Sequence, residues 1–322
     1  MSRRITAWLA VSAIALLATA PVHAFPDKPV RIIVPFPAGG VTDAMIRLLQ
    51  APVSADLGQP VIVENRPGAA GAIGARATLE AGADGYTIFM VNTGLVGITP
   101  YVQDNADIDF SQHFRAVAGL TSAPSVLLVN PEVPADSLPA FIDYAQAHPG
   151  RVNYAVAGRG AYSDLSTDLF ARQAGLEMVA VPYQGNAPAT IALLGNEVQM
   201  QLTILSSAMN GYIRDGRIKA LGVATREPSP LVPGVPPIAE TLPGFEAVVY
   251  TGIVAPAGVP DDVVRRLSDA FTSALANPEL EQRLFDMGME SAALDAAAYD
   301  QRIASEIATF APAVQAFVAQ TP

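Results

Sequence analysis

A pair of glycines, Gly39 and Gly40, separates a predicted strand from a predicted helix near the start of the chain. The strand is the β-branched run 30–34, which is typical of a buried strand, and Thr42 or Asp43 can cap the helix that follows. The N–H groups at a helix start lack acceptors within the helix and, with the helix dipole, attract an anion. This loop therefore predicts anion binding, and the alternative is a tight turn that binds nothing.

Side chains suited to covalent catalysis are scarce. The sequence has no Cys, which excludes thiol catalysis, disulfide bonds and cysteine metal sites. Besides His23 it has only His113, in a polar loop, and His148, in a helix-ending turn, and no Gly-x-Ser-x-Gly elbow accompanies either. We expect structural or solvated roles for both. The sequence argues against a hydrolase, and we predict no catalytic residue, no metal site and no cofactor.

The first 24 residues have the pattern of a secretory signal peptide. Arg3 and Arg4 give a basic start, residues 5–20 are apolar, and Ala24 closes a small-residue cleavage signal. A chain that starts at Phe25 keeps 298 of the 322 residues, enough for two domains. It has 17 Lys and Arg against 30 Asp and Glu, a net charge of −13. Because so acidic a chain has no basic stripe to contact phosphates, we expect no nucleic-acid partner.

The rest of the chain alternates predicted strands with predicted helices, which indicates a parallel or mixed α/β architecture. Two separate strands are predicted at 117–120 and 125–129, and the segment from 261 onward is predicted to be helical. Ligands bind at the carboxyl ends of strands in open α/β sheets. Loops rich in Gly, Ser and Asn occupy such positions at 92–94, 157–164 and 182–188.

Several short motifs occur along the chain in the order in which one protein family carries them. They are Val34-Pro35-Phe36-Pro37-Ala38-Gly39-Gly40, Val63-Glu64-Asn65-Arg66-Pro67-Gly68-Ala69, Asp84-Gly85-Tyr86-Thr87, Val181-Pro182-Tyr183-Gln184-Gly185 and Ala255-Pro256-Ala257-Gly258. On these motifs the chain resembles the tripartite tricarboxylate transporter substrate-binding proteins, also called Bug receptors. The resemblance covers residues 25–318.

The resemblance implies an α/β fold of the type II periplasmic binding protein kind, with two α/β lobes and a ligand cleft between them. It places residues 25–123 and 247–322 in lobe 1 and residues 124–246 in lobe 2. It also implies a monomeric periplasmic receptor, not an enzyme, that captures a small organic acid and delivers it to the membrane permease of a tripartite tricarboxylate transporter. A sensory partner of a receptor kinase would have the same cleft and stays an alternative. An enzyme that uses the cleft is a weaker alternative.

In this family, main-chain N–H groups of the first βα loop typically hold the ligand carboxylate, and a loop on the other lobe completes the site. The resemblance places the first loop at residues 37–42 and the second at 158–163, together with 183–187. The candidate ligand-binding residues are Phe36, Pro37, Ala38, Gly39, Gly40, Thr42, Asp43, Asn92, Thr93, Gly158, Arg159, Gly160, Ala161, Tyr162, Ser163, Tyr183, Gly185, Asn186, Ala187 and Thr203.

The second loop departs from the family pattern. Relatives often read Gly-Asn-Gly-Ser-Ser-x-His where this chain has Gly158-Arg159-Gly160-Ala161-Tyr162-Ser163-Asp164. We expect Arg159 to face the cleft and to pair with a second carboxylate of the ligand, because a guanidinium binds carboxylates bidentately. The alternative is a surface arginine in an acidic chain. Because the pocket has changed, no relative's ligand can be carried over to this chain.

We predict cleavage after Ala24 and export, because the basic start, the apolar segment and the small-residue boundary fit together. Intact-mass analysis of periplasmic protein should give the mass of a chain that begins at Phe25. Retention of the full-length chain in the cytoplasm would contradict this prediction.

Overall fold

The computed structural model of the chain describes residues 25–98 and 108–320, so the predicted signal peptide lies outside the described residues. The strands are β1 Val30–Val34, β2 Val61–Asn65, β3 Thr87–Asn92, β4 Phe114–Val129, β5 Val152–Val156, β6 Met178–Pro182, β7 Met200–Ile204, β8 Lys219–Val223, β9 Val248–Pro256 and β10 Glu290–Leu294. The helices are α1 Val41–Leu57, α2 Ala72–Glu80, α3 Thr93–Gly97, α4 Phe110–His113, α5 Leu138–Ala147, α6 Tyr162–Ala174, α7 Asn186–Leu194, α8 Ser207–Arg214, α9 Asp261–Leu275, α10 Pro278–Asp286 and α11 Ala296–Gln320.

These strands form one mixed sheet with the order β2-β1-β3-β9-β4-β7-β5-β6, and β8 and β10 pair with β4 off this path. β1 is parallel to β2 and β3, and β5 is parallel to β6 and β7. β9 and β4 lie between these two groups and run antiparallel to their neighbours. We call β1–β3 with β10 the first half-sheet, and β5–β8 the second half-sheet. The mixed α/β architecture expected from the sequence is confirmed.

Strand β4 connects the two half-sheets. Its residues 114–124 pair with β9, and its residues 125–129 pair with β7. The prediction of two separate strands at 117–120 and 125–129 is therefore wrong. The polar residues Thr121 and Ser122 suggest a break, but they stay extended because β9 pairs with them. Register shifts between residues 116 and 121 mark bulges in this part of β4.

Two further details of the secondary structure differ from the sequence-based expectation. Helix α1 begins at Val41, with Gly40 as an extended N-cap that has no side-chain cap, so neither Thr42 nor Asp43 caps it. The segment after residue 261 is not helical throughout, since β10 forms between α10 and α11 and pairs with β4. Pairing with a strand more than 160 residues earlier in the chain is not visible in a local pattern.

Each half-sheet has its own apolar core. Against the first half-sheet, helix α9 buries Val264, Leu267 and Phe271 at the three- and four-residue spacings of an amphipathic helix. Against the second, Phe141 and Phe170 are fully buried in a separate cluster. Burying one such side chain contributes about 1.5–3 kcal/mol. Both half-sheets are therefore stabilised by contacts of their own.

The long C-terminal helix α11 packs against elements of both half-sheets. Its residues Phe310 and Val314 form an apolar cluster with Ile98, which follows α3, and with Leu165 of α6. The same helix carries Glu306, which is only 6% exposed and whose Oε1 has no hydrogen-bond partner among the described residues. Within residues 25–98 and 108–320, no helix is both long and apolar enough to cross a membrane.

Glu306 should make the stability of the folded chain depend on pH. Burial raises the pKa of its carboxyl to about 8, although the Thr93 hydroxyl and Arg302 favour the charged form. An unfolded Glu has a pKa of about 4.3, so the folded state binds this proton more tightly and the free energy of unfolding falls as pH rises from about 4.3 to about 8.

We therefore expect Glu306→Gln to stabilise the protein by more at pH 8 than at pH 5, with a difference of a few kcal/mol, because the neutral amide cannot ionise. Urea unfolding of the parent and the variant at both pH values measures this difference. Equal effects of the substitution at the two pH values would show that Glu306 does not titrate in this range.

Candidate functional site

The first βα loop, residues 35–40, is held in a conformation that leaves the start of α1 uncapped. Gly39 has a φ of 81°, which a residue with a Cβ rarely adopts, and its N–H donates to Asp43 Oδ2 at 2.9 Å. Gly40 is the N-cap and has no side-chain oxygen to offer. The N–H groups of Val41 and Thr42 consequently have no acceptor within the described part of the chain. The start of α1 therefore presents free N–H donors at the positive end of the helix dipole.

The carboxylate of Asp43 stabilises this loop by accepting hydrogen bonds. Its side chain is 3% exposed, and besides Gly39 it accepts hydrogen bonds from Arg47 Nε at 2.9 Å and from Asn65 Nδ2 at 2.9 Å. Burial by itself would raise the pKa of this carboxyl, but the three donors outweigh burial and lower the pKa to about 2. Asn65 also donates to the carbonyl of Phe36 at 3.1 Å. Asp43 therefore shapes the loop as an ionised group and is not free to contact a ligand.

A cavity of about 590 Å³ lies where the strand ends of the two half-sheets meet. From the side of the first half-sheet and the central strands, its lining includes Val41, Thr42, Asn92, Thr121, Thr251 and Met289. From the side of the second half-sheet, it includes Asn186, Ala187, Thr190, Ile191, Met209 and Tyr212. The volume is in the range of small-molecule sites. Free donors at the start of α1 thus border a cavity that is large enough for a small anion with an organic body.

The second βα loop has the same construction as the first. Gly160 has a φ of 70°, and its N–H donates to Asp164 Oδ2 at 2.9 Å, four residues later, as Gly39 does to Asp43. Ala161 is an extended N-cap without a side-chain cap, as Gly40 is. The sequence signal is a glycine four residues before an aspartate, after a strand. The two loops are thus alike in structure although their sequences differ.

Arg159 lies elsewhere, contrary to the expectation that it faces the cleft. Its Nη1 donates to Asp164 Oδ1 at 3.0 Å, and its guanidinium lies 5.6 Å from the ring centre of Phe317 on α11. It borders a separate groove of about 410 Å³, together with Tyr154 and Arg172. The physical reason is Asp164, which is 2% exposed and whose pKa is raised by burial, so that its charge needs a neighbouring cation.

Four of the candidate residues line the cavity: Thr42, Asn92, Asn186 and Ala187. The other sixteen are not among the lining residues. Ser163 accepts a hydrogen bond from the N–H of Ala157 at 3.0 Å, Thr93 accepts one from the N–H of Tyr250 at 2.9 Å, and Thr203 is 2% exposed.

Tyr162 packs its ring on Phe310 of α11 at a centroid distance of 5.4 Å. Burial raises the pKa of its phenol, although the Ser125 hydroxyl favours the charged form. Tyr162 therefore lies in the packing between α6 and α11, and it is not among the residues that line the cavity.

Most of the apolar side chains that line the cavity are not among the residues predicted from the sequence. Ile191 of α7, Met209 and Tyr212 of α8, and Met287 and Met289 near β10 all line it. A helix pattern does not distinguish an apolar residue that faces a ligand cavity from one that faces the core. Exposure does distinguish them, since Ile191 is 68% exposed, but exposure is known only from the folded structure.

Known proteins share this architecture. The family model described as tripartite tricarboxylate transporter family receptor matches residues 45–318. The protein BugT of Bordetella pertussis is 35% identical over 262 residues, which cover 80% of this chain and 79% of BugT.

A structure of an R. palustris protein with adipate is 30% identical, with a TM-score of 0.74, and covers 91% of this chain and 98% of its own. MatC from Rhodopseudomonas palustris with bound malate is 32% identical, with a TM-score of 0.71. The match covers 90% of this chain and 100% of the MatC chain. Periplasmic binding proteins of known structure thus have the fold expected from the sequence. The chain belongs to the tripartite tricarboxylate transporter receptor family and is a solute-binding protein.

Proposed function

We propose that the protein is a periplasmic receptor that captures a small organic carboxylate in the cavity between its half-sheets and delivers it to the permease of a tripartite tricarboxylate transporter. The observation that carries this proposal is the uncapped start of α1 at a cavity of about 590 Å³. Free N–H groups at a helix start bind carboxylates through hydrogen bonds and through the helix dipole.

The ligands of related proteins support the carboxylate part of the proposal. Adipate and malate, the ligands in two solved structures at 30% and 32% identity, are both carboxylates. The proposal that the protein is exported to the periplasm rests on residues 1–24, which have the pattern of a secretory signal peptide.

The arrangement of β4 supports the two proposed lobes, residues 25–123 with 247–322 and residues 124–246. Pairing of β4 with β9 reaches residue 124, and pairing with β7 starts at residue 125. The two half-sheets have separate cores on either side of this point. Two compact units joined by extended strands are suited to hinge motion around a ligand.

Carboxylate binding at the first loop is tested with a pair of glycine substitutions. Gly39 and Gly58 lie just before and just after α1, with φ values of 81° and 69°, and a Cβ at either meets no atom within 4 Å. Gly39→Ala and Gly58→Ala therefore impose similar backbone strain, about 1–3 kcal/mol each. Only Gly39 belongs to the loop at the cavity. We expect Gly39→Ala to weaken carboxylate binding at least tenfold, because the loop shifts to relieve its strain, and Gly58→Ala to leave binding unchanged.

Thermal-shift screening of small carboxylates on the parent identifies the ligand for this comparison, and calorimetry on the two variants measures it. A ligand at one hundred times its dissociation constant adds about 2.7 kcal/mol of stability. Equal affinity of Gly39→Ala and the parent would exclude the first loop as the anion site. If no carboxylate in the screen stabilises the parent, the proposed function is wrong.

Closure of the lobes on the ligand is a separate prediction. We expect the radius of gyration in small-angle scattering to decrease when the protein is saturated with its best carboxylate, because a hinge motion brings the two cores closer. The same measurement with a carboxylate that gives no thermal shift is the control. An unchanged radius with the bound ligand would contradict closure but not binding.

A further inference from the structure

The side chains that line the cavity are uncharged throughout. Among the described residues, no Lys, Arg, His, Asp or Glu belongs to the lining. Arg159, the cation expected from the sequence to meet a second carboxylate, borders a different groove and is paired with Asp164. A ligand in the cavity consequently has no cationic side chain opposite to it at any point of the described lining.

Part of the cavity wall is apolar, although Asn186 and Thr190 also line the cavity. Val41 and Ile191 are 61% and 68% exposed and line the cavity from α1 and α7, one from each side. Met209, Met287 and Met289 also line it, and methionine side chains adapt their shape to apolar ligands. Apolar side chains exposed at a cavity favour an occupant that removes them from water.

The starts of α1 and α7, which both border the cavity, are unequal as anion sites. In α1 the first three helical residues are Val41, Thr42 and Asp43, and each carries a main-chain N–H. In α7 the third helical residue is Pro188, which has no N–H, and Ile191 on the next turn faces the cavity. The start of α7 therefore offers fewer main-chain donors to an anion than the start of α1, and an apolar side chain lies beside it.

From these three observations we infer that the ligand is a monocarboxylate with an apolar aliphatic or aromatic body, held with its carboxylate at α1 and its body against Ile191 and the methionines. This inference rests on the proposed function and specifies the ligand of the same site. The ligand then differs from the adipate and malate of the two solved relatives, each of which has a second carboxylate. Burying that second charge against an apolar wall without a cation is costly.

Calorimetry with matched pairs of ligands tests the inference. Hexanoate and adipate differ only in a terminal carboxylate, as do benzoate and terephthalate. We expect the monoacid of the better-binding pair to bind at least tenfold more tightly than its diacid. Equal or tighter binding of the diacid in that pair would overturn the inference while leaving the carboxylate receptor intact. If none of the four ligands binds and no compound in a wider carboxylate screen binds, both the inference and the proposed function are wrong.

A charge introduced on the apolar wall tests where the ligand body lies. Ile191→Lys places an ammonium in the cavity opposite α1, and the 68% exposure of the residue allows the substitution without disturbing the core. We expect the ratio of monoacid to diacid affinity to shift at least tenfold toward the diacid. Val179→Lys is the matched control, since Val179 is 46% exposed, lies on β6 and borders a different groove. An unchanged ratio in a folded Ile191→Lys variant, or an equal shift in the control, would contradict the assigned position of the body.

Discussion

The buried carboxylate of Asp43 is the interaction on which the polar end of the cavity depends. It holds the N–H of Gly39 while Arg47 and Asn65 neutralise and orient it. Because these donors lower its pKa to about 2, the contribution of Asp43 to stability is present above its ordinary pKa of 3.8 and is lost only as pH falls toward 2. An ionised Asp43 keeps the loop in one shape, and that shape leaves the first N–H groups of α1 free.

In the second βα loop, a buried aspartate likewise accepts a hydrogen bond from a glycine N–H, but its other partners differ. Asp164 holds Gly160 as Asp43 holds Gly39, but its cation is Arg159 from the loop itself. Burial raises the pKa of Asp164, whereas three donors lower that of Asp43. Arg159 is thereby engaged in supporting its own loop. A guanidinium that looks in sequence like a ligand-selecting group serves in the structure to compensate a buried carboxylate.

The connection between the half-sheets combines extended pairing with helix packing. β4 and β9 supply main-chain hydrogen bonds through the centre of the sheet, and α11 adds the cluster of Phe310, Val314, Ile98 and Leu165. Beside this cluster lie two buried polar groups, the phenol of Tyr162 and the carboxyl of Glu306. Burial raises the pKa of both groups, so both are neutral over much of the physiological pH range and can be accommodated beside this cluster.

The sequence by itself determined the strands and helices whose patterns are local. The β-branched run of β1, the amphipathic spacing of α9 and the glycines of the first loop are each visible within a few residues, and the ordered motifs were sufficient to recognise the family. Tertiary structure decided the rest. Pairing with β9 makes β4 one strand and pairing with β4 creates β10, both through contacts distant in sequence. The direction of Arg159 follows from the burial of Asp164, and the apolar wall at Ile191 exists only because α7 borders the cavity. Burial and direction are properties of the assembled fold, which is why the loops could be found in the sequence but most of the side chains that line the cavity could not.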